Sequence, residues 1–103
     1  MADAWHEVAT TDAVTDDQPL GVKAGGKEIG LFRVDGKVYA IEDVCPHAYA
    51  LLSSGFVDGD TIECPLHQGR FHIATGKAVA APCTEDIRAY AVKIEGGAVL
   101  LKE

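Results

Sequence analysis

Cysteine is scarce in this chain: three residues in 103, an odd number. An odd count with no secretory opening argues against a disulfide scaffold and for a reducing cytoplasm. The opening, Met1-Ala2-Asp3-Ala4-Trp5-His6-Glu7, has no basic stretch followed by an apolar run, so no signal peptide is expected. Nor does any apolar run reach the length of a membrane-spanning helix. Positive charge is also short, with 9 Lys and Arg against 16 Asp and Glu and a formal net charge of −7. That balance argues against nucleic acid or an anionic membrane surface as a partner, since both attract basic patches. It suits a partner with a positive docking face, or it serves solubility alone. Helix signals are the last deficit. Only Ala9 to Asp17 offers a turn of helix, with Thr10 or Thr11 as its cap.

What is present is the period of strands. Lys27 to Val34 and Lys37 to Glu42 flank Asp35-Gly36, a two-residue hairpin signal. Gly55 to Val57 and Thr61 to Glu63 flank Asp58-Gly59-Asp60, and Ala91 to Glu95 and Ala98 to Leu101 flank Gly96-Gly97. Strands recurring this often, punctuated by glycine turns, predict an all-β sandwich or small barrel. The length suits a single domain with one modest core. A 48% hydrophobic share beside 24% charged residues is ordinary for a globular protein. Residues of about 44–82 read as a lobe inserted between the two ends of the chain, which form the base.

Within that stretch stand Cys45-Pro46-His47 and, sixteen residues after His47, Cys64-Pro65-Leu66-His67. Each segment offers one thiolate and one imidazole. Proline after each Cys fixes its own φ and holds the Cys backbone extended, which lowers the entropy cost of gathering ligands. Cys45, His47, Cys64 and His67 are therefore a candidate metal-ligating tetrad of mixed type. A Rieske [2Fe–2S] centre needs that mixture, because two His replace two Cys on one of its irons. The same four residues could hold structural zinc, although zinc sites more often pair Cys with Cys and His with His. The zinc protein would be colourless and redox-silent. His72, in Phe71-His72-Ile73, reads as a surface or cross-strand residue, and His6 as lying near a mobile terminus. Cys83, after Pro82, reads as a buried thiol.

The segment Cys45, Pro46, His47, then Cys64, Pro65, Leu66, His67, Gln68, Gly69 and Phe71, followed by Thr75-Gly76-Lys77, resembles the Rieske-type ferredoxins of bacterial aromatic-ring dioxygenase systems. The resemblance covers essentially the whole chain. It implies an all-β fold, a Rieske-like antiparallel β-sandwich with a small cluster-binding lobe, spanning 1–103 as one domain. It implies one [2Fe–2S] cluster held by Cys45, His47, Cys64 and His67, with the two Cys on the inner iron and the two His at the exposed tip. A flavin-containing reductase fed by NAD(P)H and a terminal oxygenase are the implied partners, and a monomer is the simplest state. A Rieske-like small subunit of a nitrite-reductase-type complex is a related reading of similar size.

The oxygen chemistry itself belongs elsewhere. A mononuclear iron site needs two His and a carboxylate. After the cluster takes its pair only His6 and His72 remain, with no suitable carboxylate spacing. No substrate-sized pocket is expected beside the lobe. Leu51, Leu52, Pro65, Leu66 and Pro82 would ring the tip, either as a small docking patch or as packing beneath the loops.

Two imidazoles set the charge of such a centre. Two ferric ions, two sulfides and two thiolates sum to zero, against minus two for the all-Cys cluster, so an electron is added more easily. Respiratory Rieske proteins carry an extra disulfide-bonded Cys in each loop and hydroxyl donors near the second. Ala50 and Leu66 stand at the Cys positions here, and Gly69 and Phe71 at those of the Ser and Tyr donors. Each missing donor removes stabilisation of the reduced state. The midpoint potential is therefore expected at the low end of the family range, about −150 mV. A redox titration with a midpoint above about +100 mV would contradict this, being well inside the upper part of that range.

Overall fold

The computed structural model describes residues 5–15, 18–24, 26–44, 50–65, 69–80 and 86–102. Among the described residues ten strands follow one another: β1 (Trp5–Thr10), β2 (Leu20–Ala24), β3 (Lys27–Val34), β4 (Lys37–Glu42), β5 (Phe56–Asp58), β6 (Thr61–Glu63), β7 (Arg70–His72), β8 (Ala78–Ala80), β9 (Ala89–Glu95) and β10 (Ala98–Lys102). They form a six-stranded sheet in the order β1-β10-β9-β4-β3-β2 and a four-stranded sheet in the order β5-β6-β7-β8. Every pairing is antiparallel.

The hairpins sit where the turn chemistry predicts. Asp35 and Gly36 both adopt positive φ, 51° and 79°, which matches the twist of β3 and β4 and favours glycine at the second position. The β5–β6 and β9–β10 hairpins turn at the expected glycines, with strand ends shifted by one or two residues. Three strands, β1, β2 and β8, were not anticipated. His6 lies in β1, opposite Leu101 of β10. The expected helical turn over Ala9 to Asp17 shrinks to a 3₁₀ turn at Thr11–Ala13, and Thr10 makes no side-chain cap. Its carbonyls are claimed from elsewhere. The Arg33 guanidinium donates to Thr11 O and Val14 O, each at 2.7 Å, and Ala9 and Thr10 remain in β1.

Four consecutive residues of β3, Ile29, Gly30, Leu31 and Phe32, are buried, so this strand has both faces covered. On one face Ile29 and Leu31 join Val14, Ala40, Val99 and Leu101. On the other, Phe32 and Ile41 join Ala50, Leu52, Ile62, Cys64, Phe71, Ile73 and Ile87. The second cluster fastens the four-stranded sheet to the six-stranded one. The edge strands β5 and β8 of the smaller sheet are three residues long and expose Phe56 and Val79. No helix of the described residues is long and apolar enough to cross a membrane.

Gly76 joins the smaller sheet to the chain entering β9. It has φ of 77°, and a Cβ there would collide with the Ile87 carbonyl oxygen. Gly76→Ala is expected to cost about 2–4 kcal/mol, combining backbone strain with overpacking. Gly36→Ala, where a Cβ meets nothing within 4 Å, should cost about 1–2 kcal/mol from conformation alone. Urea unfolding of both variants checks the difference.

Candidate metal centre

The described residues on either side of each candidate ligand segment close a neck. The first leaves β4 through Asp43 and Val44 and returns at Leu51, where Val44 and Leu51 form an isolated antiparallel bridge. Leu52 N donates to Asp43 O at 2.6 Å, and a 3₁₀ turn over Leu52–Ser54 follows at once. The second loop joins β6 to β7, and Cys64 N donates to Gly69 O at 2.9 Å across its base. Just behind that bond Arg70, cross-strand from Glu63, bonds Glu63 at 2.9 Å and Asp58 at 2.7 Å. These ion pairs hold the register of the three strands that present the loop.

The two necks meet. Gly55, which ends the 3₁₀ turn, lies so close to β6 that a Cβ would run into the Glu63 carbonyl oxygen. Ala50 and Leu52 from the first loop and Cys64 from the second share one apolar cluster. Cys64 itself is buried, 1% exposed, at the end of β6. Cys45, His47 and His67 lie outside the described residues, as do Leu66, Pro82 and Cys83. Among the described residues no three His, Cys, Asp or Glu side chains are gathered as a metal site.

The leucines of the first loop divide. Leu51 is 42% exposed and Leu52 is fully buried, so one faces outward and the other packs into the apolar cluster. Exposed Val44 lies opposite Leu51, and Pro65 is half-buried. His72 behaves as a strand residue. It pairs with Thr61, and its ring nitrogens lie 3.1 Å from Thr75 Oγ1 and 3.1 Å from Asp60 Oδ2. A cleft of about 380 Å³ does exist at the lobe, lined by Val34, Lys37, Tyr39, Asp60, His72 and Ile73 among others. It lies at the end of β6 and β7 away from Cys64, since Asp60 precedes β6 and Cys64 follows it.

Sequence reasoning missed Asp43. Its side chain is fully buried yet ionisable, and Ser53 serves both carboxylate oxygens. Burial pushes its carboxyl above the usual carboxylate range, and the Ser53 hydrogen bonds pull it back. An acid two residues before the candidate ligand Cys45 was the available signal.

A family model described as the Rieske [2Fe-2S] domain matches residues 4–91. The ferredoxin component of the naphthalene 1,2-dioxygenase/salicylate 5-hydroxylase systems of Ralstonia sp. is 48% identical, over 99% of this chain and 98% of its own length. Among solved structures, the Sphingomonas yanoikuyae B1 ferredoxin superposes with a TM-score of 0.93 at 37% identity, covering 97% of this chain and 99% of that one. A chain from the complex of reduced oxygenase and oxidized ferredoxin in carbazole 1,9a-dioxygenase gives 0.88 at 34%, covering 95% and 92%. The described part of the site fits the group these names imply: a buried thiol at Cys64, in a loop closed by its own backbone, beside the neck of a second loop. The chain belongs to the Rieske [2Fe–2S] family, among its small ferredoxins, and its cofactor is one Rieske-type [2Fe–2S] cluster.

Proposed function

We propose that this chain is a one-electron carrier that takes electrons from an NAD(P)H-dependent flavin reductase and delivers them to a terminal oxygenase acting on aromatic compounds. When bound, a Rieske centre supplies a single reversible electron step. The observation that carries the reading is the convergence of two short loops, one ending in Ala50 and Leu52 and one opening at Cys64, on a single apolar cluster. Cys45 and Cys64 hold the inner iron in this reading, and His47 and His67 the outer one. Burial of Cys64 supports an inner place. The chain acts as one domain, 1–103, with residues of about 44–82 as its cluster-binding lobe. It has no active site of its own; the oxygenase does the chemistry on the ring.

Exposed Leu51 and Val44 support a small apolar docking patch beside the first loop, of the limited size expected for redox encounters. The net charge of −7 favours a partner with a positive face. A cytoplasmic monomer is the state we assign, because a carrier must visit two partners in turn.

An electron paramagnetic resonance spectrum of the dithionite-reduced protein tests the reading. A rhombic signal with average g below that of all-Cys clusters is expected. A silent, colourless protein with stoichiometric zinc would replace the carrier by a zinc-held interaction module.

The two leucines separate docking from packing. Leu51→Ala is expected to slow turnover with a naphthalene dioxygenase reductase and oxygenase several-fold, with visible spectrum and unfolding midpoint unchanged. Leu52→Ala should destabilise the fold by about 2–5 kcal/mol. Steady-state assays and urea unfolding read the two effects.

A further inference from the structure

A fully buried carboxyl is rare unless it is well partnered. Among the described residues Asp43 is the only charged side chain in that position. It stands where the chain leaves the six-stranded sheet for the first ligand loop. Both its oxygens are met by one residue on the far side of that loop: Ser53 N donates to Oδ1 and Ser53 Oγ to Oδ2, each at 2.6 Å. The Asp43 backbone is held as well. Its N–H donates to Glu28 O at 3.1 Å, and its carbonyl accepts from Leu52 N.

Two glycines make the room. Gly21 of β2 and Gly30 of β3 are cross-strand partners. A Cβ at Gly21 would lie 2.9 Å from Ser53 Oγ and 3.0 Å from Asp43 Oδ2. At Gly30 it would lie 2.7 Å from Asp43 Oδ1 and 2.7 Å from the Phe32 ring. Glycine weakens a strand interior and often marks a close approach by something else. Here a facing pair opens a notch, and the Asp43–Ser53 pair fills it.

We infer that Asp43 and Ser53, seated in the Gly21–Gly30 notch, are the clasp that fixes the first ligand loop to the sheet and so positions Cys45 and His47 for the cluster. This rests on the Rieske assignment of those ligands. Asp43 and Ser53 are positioning residues, acting through the loop they hold. Because the clasp joins the two ends of residues 44–52, its loss loosens the loop's attachment to the sheet while the apolar clusters keep the sheets together.

The test compares release of iron from the oxidised holoprotein to a chelator, followed by the visible absorbance, in wild type, Ser53→Ala, Gly30→Ala and Leu101→Ala. Leu101 is buried in the other apolar cluster, so its variant lowers global stability without touching the clasp. At a temperature where circular dichroism shows all four folded, Ser53→Ala and Gly30→Ala are expected to release iron about tenfold faster than wild type. That is the scale of one hydrogen bond to a charged group. Leu101→Ala should stay near the wild-type rate. The midpoint potential should move in Ser53→Ala and not in Leu101→Ala. Should Gly30→Ala fail to fold, Ser53→Ala carries the comparison. Wild-type release from Ser53→Ala would overturn the clasp, as would equally fast release from Leu101→Ala. A wild type without the rhombic signal removes the Rieske assignment and the clasp with it. A wild type that shows the signal beside variants that match it removes the clasp alone.

Discussion

The hairpin of β3 and β4 is a wall shared by both apolar clusters, and the rest of the molecule leans on it. Ile29, Leu31 and Ala40 face one side; Phe32 and Ile41 face the other. The strands of the smaller sheet have three residues each. Strands so short do not hold a sheet together in water without a packed face. Ile62, Phe71 and Ile73 find that face on Phe32 and Ile41. The position of the necks that carry the candidate ligand segments is therefore inherited from the larger sheet, through side chains of two adjacent strands.

What could be read from the residues alone followed the range of the interaction. Asp35-Gly36 and Gly96-Gly97 specify hairpins within a few residues, and those hairpins form at those positions. The family was legible because the chemistry of Cys45, His47, Cys64 and His67 is carried by residue type and spacing. β1 was not, because it pairs with β10 across the whole chain, Trp5 opposite Lys102, and no local signal announces that. β2 hides behind Gly21, and β8 is a run of Ala, Val and Ala. Leu51 and Leu52 look alike in the sequence. The bridge of Leu51 to Val44 and the turn that starts at Leu52 decide which one faces water. The place of Asp43 beside the candidate ligand Cys45 is local, but the notch that buries it is made by glycines on other strands.

The lobe is polar at both ends but in different ways. Near the second loop, Arg70 ties Glu63 and Asp58 across three strands. At the other end, His72 is braced between Asp60 and Thr75, while Thr75 Oγ1 also accepts from Lys77 N at 3.3 Å. Exposed pairs of this sort add little to global stability. Their contribution is directional: each fixes a turn relative to its neighbour, so the loops at one end are presented by a frame that is pinned at the other.

The brevity of the lobe's outer strands has a colloidal consequence. β5 and β8 are the outer strands of the four-stranded sheet, and Phe56 on β5 is 62% exposed. Such borders invite a second copy to add on strand by strand, yet a template of three residues gives an incoming chain few bonds to gain. Asp58 closes one end of β5 with a charge. A molecule built in this way can keep an aromatic ring in water without nucleating fibres of itself.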